Sequence, residues 1–394
     1  MILFLSKKYF KENKVEKEKV RESGIELLKI ISIFLIVISH VSQSLYNMSF
    51  FEFGLGNGFL DLNEVTTNFQ TLVLVFFRHF GALGNMIFII CSSWFLIGKK
   101  KTNKNKIFKL IIDVYAISIL FLIIFYSFNA FFNLKWMYIK RSIFPTTYAN
   151  NWYITCYILF LMLVPFLNII IENISKEDLL KLNIVLFFIY WVVSFIVTSY
   201  FHTLLVTFIT IYFFTAYLKL HMENFSKDTK ANTKLILFGI MMVIIFIAVT
   251  DFVGFHKEEA KYKLLYWTES NNPFLLIIAI GMFNLFKNLN FRNLLINRWS
   301  SLTLYIYLIH ENILVREYLR LYIWAGIERK FSYSYVVIET LIYALVLFLA
   351  ATLLSIVYKY TAKRFTNFIA NKIYESKSLR SSYMKVKTAI LKRD

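Results

Sequence analysis

The chain predicts an all-α, polytopic integral membrane protein of about ten transmembrane helices, with both termini cytoplasmic. Three observations carry that prediction. The 394 residues are 58% hydrophobic and include 42 Phe, where soluble domains hold about 45–50% apolar residues. Apolar runs of about 18 or more residues, the length that crosses a bilayer, recur about ten times. Lys and Arg, in excess by a formal +20, gather at the termini and in alternate loops, as the positive-inside rule requires. That distribution argues against nucleic acid as the partner of the charge and for the anionic inner leaflet of the lipid bilayer.

Residues 1–24 form a basic arm with seven Lys/Arg. Its opening Met1-Ile-Leu-Phe-Leu5 is too short for a signal-peptide core, so the first span is expected to be the uncleaved targeting signal. Spans are expected at 25–46, 69–98, 108–131, 152–173, 180–198, 201–220, 233–252, 273–290, 300–322 and 336–360. The split between the fifth and sixth rests on Ser199-Tyr-Phe-His202 alone. Lys99 to Lys109 holds six Lys, the 219–234 connection four, and the stretch after Tyr358 ten Lys/Arg, whereas 47–68 holds none and carries Glu52, Asp61 and Glu64. Both termini then lie inside, which an even number of spans satisfies. Residues 25–360 read as one multi-pass domain in the cell membrane, and 361–394 as a basic tail along its inner surface. Trp136, Tyr148, Trp152, Trp267 and Trp324 fall in or beside the external segments. They form an aromatic belt and are suited to the apolar faces of sugar rings.

The first span places Glu26, Lys29 and His40 in an otherwise apolar run. A charge at the centre of such a helix costs roughly 2.5–3.5 kcal/mol on insertion scales, so it faces a polar interior. Lys29 and His40 are eleven positions apart, about three turns plus 20°, and share a face. Glu26, Ser32 and Gln43 fall within about 60° of the same direction, which makes a polar stripe about 25 Å long. Lys29, taken alone, could snorkel to the inner headgroups. His40 has no such escape: it either bridges helices or accepts a proton.

The second span carries Arg78 and His79, too deep for easy snorkelling, among the small residues Gly81, Gly84, Ser92 and Ser93 that allow close helix packing. Arg78 is a candidate to pair with Glu26, with a polar substrate or with a carbonyl. The ninth span brings Thr303, Tyr307 and His310 to one face, followed by Glu311 and Asn312. A second membrane histidine beside a carboxylate points to a central polar cavity. Cys91 and Cys156 both lie in spans and read as small packing residues. No G-x-S-x-G elbow, Walker glycine loop or H-E-x-x-H helix is present, and no metal is expected from ligand spacing.

These residues resemble the membrane acyltransferase-3 family of bacterial O-acyltransferases. Its first span runs glycine, apolar, acidic, two apolar, Arg, ten residues, His, and Gly24-Ile25-Glu26-Leu27-Leu28-Lys29 to His40 fits that frame with Lys for Arg. Ser92-Ser93-Trp94 stands where Ser-Gly-Phe is common, and Asn151-Trp152-Tyr153 and Leu304-Tyr-Ile-Tyr-Leu-Ile-His310 are similar to further signatures. The resemblance covers about residues 20–360. It implies transfer of an acyl group, usually acetyl, from cytoplasmic acetyl-CoA to a hydroxyl of an extracytoplasmic acceptor: surface polysaccharide, teichoic acid or glycolipid. By the same carry-over His40 is the catalytic residue; apart from the resemblance, Arg78 or His310 is expected to stabilise developing charge. Lys29, with Glu26 beside it, holds the cofactor side. Lys in place of Arg exchanges a bidentate fork for a single mobile charge. Longer relatives add a periplasmic hydrolase-like domain; none is expected here, so the membrane domain completes the reaction or hands the acyl group to a partner protein. The rival class is a transporter, flippase or polymerase of surface polysaccharide, which would also explain ten spans and external aromatics. A third is a membrane sensor or a subunit serving a separate enzyme.

Overall fold

The computed structural model describes residues 22–45, 69–101, 103–148, 150–193, 204–256, 272–320 and 335–375. Every element among them is helical. The principal helices are α1 (Ser23–Leu45), α2 (Phe69–Leu96), α3 (Lys104–Ser127), α4 (Trp152–Asn173) and α5 (Lys176–Phe187), followed by α6 (Leu204–His221), α7 (Thr229–His256), α8 (Pro273–Lys287), α9 (Thr303–His310), α10 (Val336–Tyr360) and α11 (Ala362–Glu375). Seven of them are long and apolar enough to cross a membrane, namely α1, α2, α3, α4, α6, α7 and α10, and α8 is a shorter apolar helix. The protein is a multi-pass membrane protein. The spans expected at 152–173 and 336–360 coincide with α4 and α10 end to end. The boundary at Ser199–His202, the 47–68 segment, Trp267, Trp324, the N-terminal arm to residue 21 and the tail beyond 375 lie outside the described residues.

Local chemistry sets several starts. Asn103 accepts from Lys106 N before α3, Ser175 accepts from Asp178 N before α5, and Asn272 accepts from Phe274 N with Pro273 as the first residue of α8. Each satisfies an amide that the helix leaves unpaired.

Helix α1 is central: it packs against α2, α8, α9, α10 and the short helix Leu294–Ser300. Its seam with α2 is made by small residues. A β-carbon at Gly84 would overlap the Ser32 carbonyl and the Ile36 side chain, and one at Gly81 would meet Ser39 Oγ. Ser39 Oγ donates to the Arg78 carbonyl at 2.7 Å and Ser42 Oγ to the Leu74 carbonyl at 2.8 Å. Close backbones and interhelical hydrogen bonds are the means by which membrane helices associate, since lipid offers no hydrophobic drive between them. Gly239 and Gly281 form the same device reciprocally between α7 and α8.

The ninth span is the main departure. In place of one helix over 300–322, the chain forms Leu294–Ser300, then α9, then a break at Glu311-Asn312, then a π-helical turn over Val315–Arg320. Asn312 Oδ1 accepts from Leu314 N at 3.0 Å and so caps the chain where it leaves the break. π-helical turns and broken membrane helices persist where they line a site or are buried in protein. This one carries Glu311 and its two arginine partners.

A second buried carboxylate, Asp113 on α3, stands alone in an apolar run, where the sequence gives no sign of its partners. It accepts from Tyr358 OH at 2.8 Å and Thr366 Oγ1 at 3.1 Å, and pairs with Lys363. It thereby fastens α10 and α11 to α3. Because these donors come from the elements packed around it, its role is architectural.

Candidate functional site

Two polar clusters lie on α1, one near each end of the stripe. Toward the end that the charge distribution assigns to the cytosol, Lys29 Nζ is 3.2 Å from Glu26 Oε1, one turn away on the same helix. Glu26 also accepts from the hydroxyl of Ser300. Lys29 Nζ stands 5.7 Å from the centre of the Phe95 ring. Glu26 and Lys29 border a cavity of about 300 Å³, which Ser300 and Ser301 also line, and which extends to Ile36, Tyr153 and Tyr307. It ends one turn short of His40, since Ile36 lies four residues before it. Lys359 Nζ donates to Ser301 Oγ at 2.6 Å and so adds a second ammonium beside this mouth.

Further along α1, His40 meets α9. Its Nδ1 is 3.0 Å from His310 Nε2 and 2.9 Å from Glu311 Oε1. His310 Nδ1 lies 2.7 Å from the Ile306 carbonyl, which only accepts, so that nitrogen carries a proton and neutral His310 offers Nε2 as an acceptor. The carboxylate likewise accepts. His40 Nδ1 is then the donor to both, and the lone pair of its imidazole resides on Nε2. Glu311 is held in turn by Arg320 Nη1 at 2.7 Å from Oε1, with Arg316 Nη1 3.8 Å from Oε2. A carboxylate that orients a histidine through Nδ1 and is itself fixed by guanidinium groups leaves Nε2 as a positioned base.

His40, His310 and Glu311 also offer three ligand atoms within 4.8 Å of one another, and the His310 hydrogen bond to a carbonyl is of the kind that orients metal-bound histidines. Two arginines on the same carboxylate make it a poor seat for a dication, because they already supply its counter-charge. The hydrogen-bonded network is the better account of the geometry.

The structure joins His40 with His310 and Glu311, and Lys29 with Glu26. It separates Arg78 from Glu26. Arg78 is buried on α2 level with Ser39, thirteen residues beyond Glu26 along α1, or about 20 Å at about 1.5 Å per residue. That is the depth of His40. His79 Nδ1 donates to the Val75 carbonyl at 2.9 Å, a structural use within its own helix. Both cysteines are free. Sequence reasoning misses Arg316 and Arg320, because their value depends on a break in the helix that hydropathy does not register.

Residues 22–360 match the model of a protein family described as an acyltransferase domain, of the acyltransferase-3 type. Comparison with curated proteins and with solved structures gave no match in either case.

Proposed function

The chain belongs to the acyltransferase-3 family, and on that premise we propose that it moves an acetyl group from cytosolic acetyl-CoA to a hydroxyl of a surface glycan or glycolipid at the cell membrane. The observation that carries this reading is the contact of His40 Nδ1 with Glu311 at 2.9 Å and His310 at 3.0 Å, which leaves Nε2 as the base.

In this mechanism the donor enters at the Lys29 end. Its phosphates meet the ammonium groups of Lys29 and Lys359, and its narrow thioester arm occupies the cavity that reaches Ile36 and Tyr307. The acceptor hydroxyl arrives from the opposite face. His40 Nε2 takes its proton as the oxygen attacks the thioester carbonyl, forming the new C–O bond. The C–S bond then breaks and the proton passes from His40 to the leaving thiolate, which restores the neutral imidazole. Glu311 steadies the imidazolium formed in between, and buried Arg78, at the same depth, is the cation assigned to the developing oxyanion. The tetrad Glu26–Lys29–Ser300–Ser301 positions the donor without joining the chemistry.

The test is His40→Gln in cells lacking the native gene. General-base removal should lower transfer by about 10²–10⁴-fold, read as base-labile acetyl on surface polymer at equal membrane insertion. Full acetylation by a correctly inserted His40→Gln protein would overturn the mechanism.

A further inference from the structure

Two ammonium groups at the Lys29 end are seated against one indole and, among the described residues, meet no carboxylate. Trp94, near the end of α2, packs its ring 5.2 Å from that of Phe283 on α8. Lys287, the last residue of α8, holds its Nζ 4.6 Å from the Trp94 ring centre and donates to Ser226 Oγ at 2.9 Å. Lys219, in the last turn of α6, holds its Nζ 5.5 Å from the same ring centre. It donates to the carbonyls of Trp94 at 2.7 Å and Ile97 at 3.3 Å. Two helices thus bring cations to one aromatic plate carried by a third, and both lysine side chains are half-buried.

The local charge does not balance. Lys99 lies within electrostatic reach of Lys219, and Lys227 within reach of Lys287. The acid in reach is Glu223, and Lys227 already holds it at 2.6 Å. Carbonyls at the end of α2 supply about half a negative charge, and the indole face a weak quadrupole. Among the described residues, four ammonium groups against one carboxylate leave an excess of positive charge at a partly dehydrated spot. Elsewhere the same protein compensates such groups, as with Lys29 by Glu26 and Lys363 by Asp113. We propose that the Trp94–Lys219–Lys287 cluster is a binding site for a phosphate group. A phosphate brings one or more negative charges and several acceptor oxygens, and lysines serve it as point charges. Basic pockets between membrane helices on the cytoplasmic side bind anionic lipid headgroups. This site is distinct from the cavity beside Lys29, whose lining includes none of these three residues.

The phosphate could belong to a lipid headgroup or be free in solution, and one set of measurements separates these sources. The full-length protein is reconstituted in phosphatidylcholine vesicles, then given phosphatidylglycerol in one arm and inorganic diphosphate in the other. Lipid retention is read by native mass spectrometry and stability by the unfolding midpoint. A lipid source predicts retention of phosphatidylglycerol over phosphatidylcholine by about tenfold, with diphosphate without effect. A soluble source predicts the reverse, a rise in the midpoint with diphosphate alone. In either arm Lys219→Met with Lys287→Met should abolish the response, while Lys287→Arg, which keeps the charge and controls for folding, should retain it. No response to either phosphate, or an unchanged response in the double Met variant, overturns the proposal.

Discussion

The two clusters on α1 are built from the same ingredients, a carboxylate and nitrogen bases, yet they are opposite in construction. At the Lys29 end the pair lies within one helix at i and i+3, borders a cavity, and leaves Lys29 with 22% of its side chain exposed. At the His40 end the partners come from α1, α9 and the π-helical turn, and Glu311 and Arg320 are 8% and 5% exposed. A local, cavity-facing pair tolerates rearrangement, which suits a cation that must release a neighbour to hold an arriving phosphate. A pair assembled across elements and sealed from solvent fixes one geometry, which suits a base whose lone pair must point in one direction. The two carboxylates are equally buried, with 7% of the Glu26 side chain and 8% of that of Glu311 exposed; a bordering cavity and sequence separation, not residue type, set the difference.

The largest effect that sharpens this contrast belongs to Glu311→Gln. Hydrogen bonds to charged groups contribute about 1.5–3 kcal/mol, so losing the carboxylate should lower kcat about one to two orders of magnitude with donor KM little changed. The neutral amide also strands Arg320 without its counter-charge, and thermal unfolding should move down together with activity. Steady-state kinetics on the reconstituted enzyme, with unfolding measured beside it, checks both. A kcat within twofold of the parent would reduce Glu311 to a structural ligand of Arg320.

Lys29 comes next. Lys29→Met should raise donor KM about fivefold and leave kcat nearly intact, since the partly exposed cation contributes a screened interaction of about 1 kcal/mol to the donor phosphates. Lys29→Arg should stay close to the parent. A selective loss of kcat in Lys29→Met would erase the division of labour between the two ends. Equal activity in both variants would make Lys29 a snorkelling residue.

How much of this was legible in the sequence depends on the same contrast. The stripe from Glu26 to His40 was readable because helical periodicity places its members within a single element. The identity of His310 and Glu311 was readable as polar residues within an apolar run. Their union with His40 was not, since it links positions 270 residues apart. The break at Glu311-Asn312 was hidden because Ile313, Leu314 and Val315 keep the run apolar; the carboxylate leaves the helix to reach Arg320, nine residues on. The long helices α4 and α10 were found with their ends because composition alone defines them. The Asp113 hub was missed for the opposite reason, as its partners Tyr358, Lys363 and Thr366 lie about two-thirds of the chain away.

The smallest expected effect breaks the comparison most cleanly if it fails. Ser300 donates its hydroxyl to Glu26 and ends the short helix Leu294–Ser300, so it ties that helix to α1. Ser23 Oγ makes a second tie, to Asn297 Oδ1 at 2.9 Å. Removing a hydroxyl from a sealed charged site would cost about 1.5–3 kcal/mol, but Glu26 borders a cavity where water can replace the lost donor. Lys29 remains 3.2 Å away to hold the carboxylate. Ser300→Ala should therefore cost about 1 kcal/mol or less in unfolding free energy and change donor KM by less than about threefold. A loss comparable to that of Glu311→Gln would show that the Lys29 end is as rigid and as closed as the His40 end. Donor entry past Glu26 would then need a motion of α1 itself.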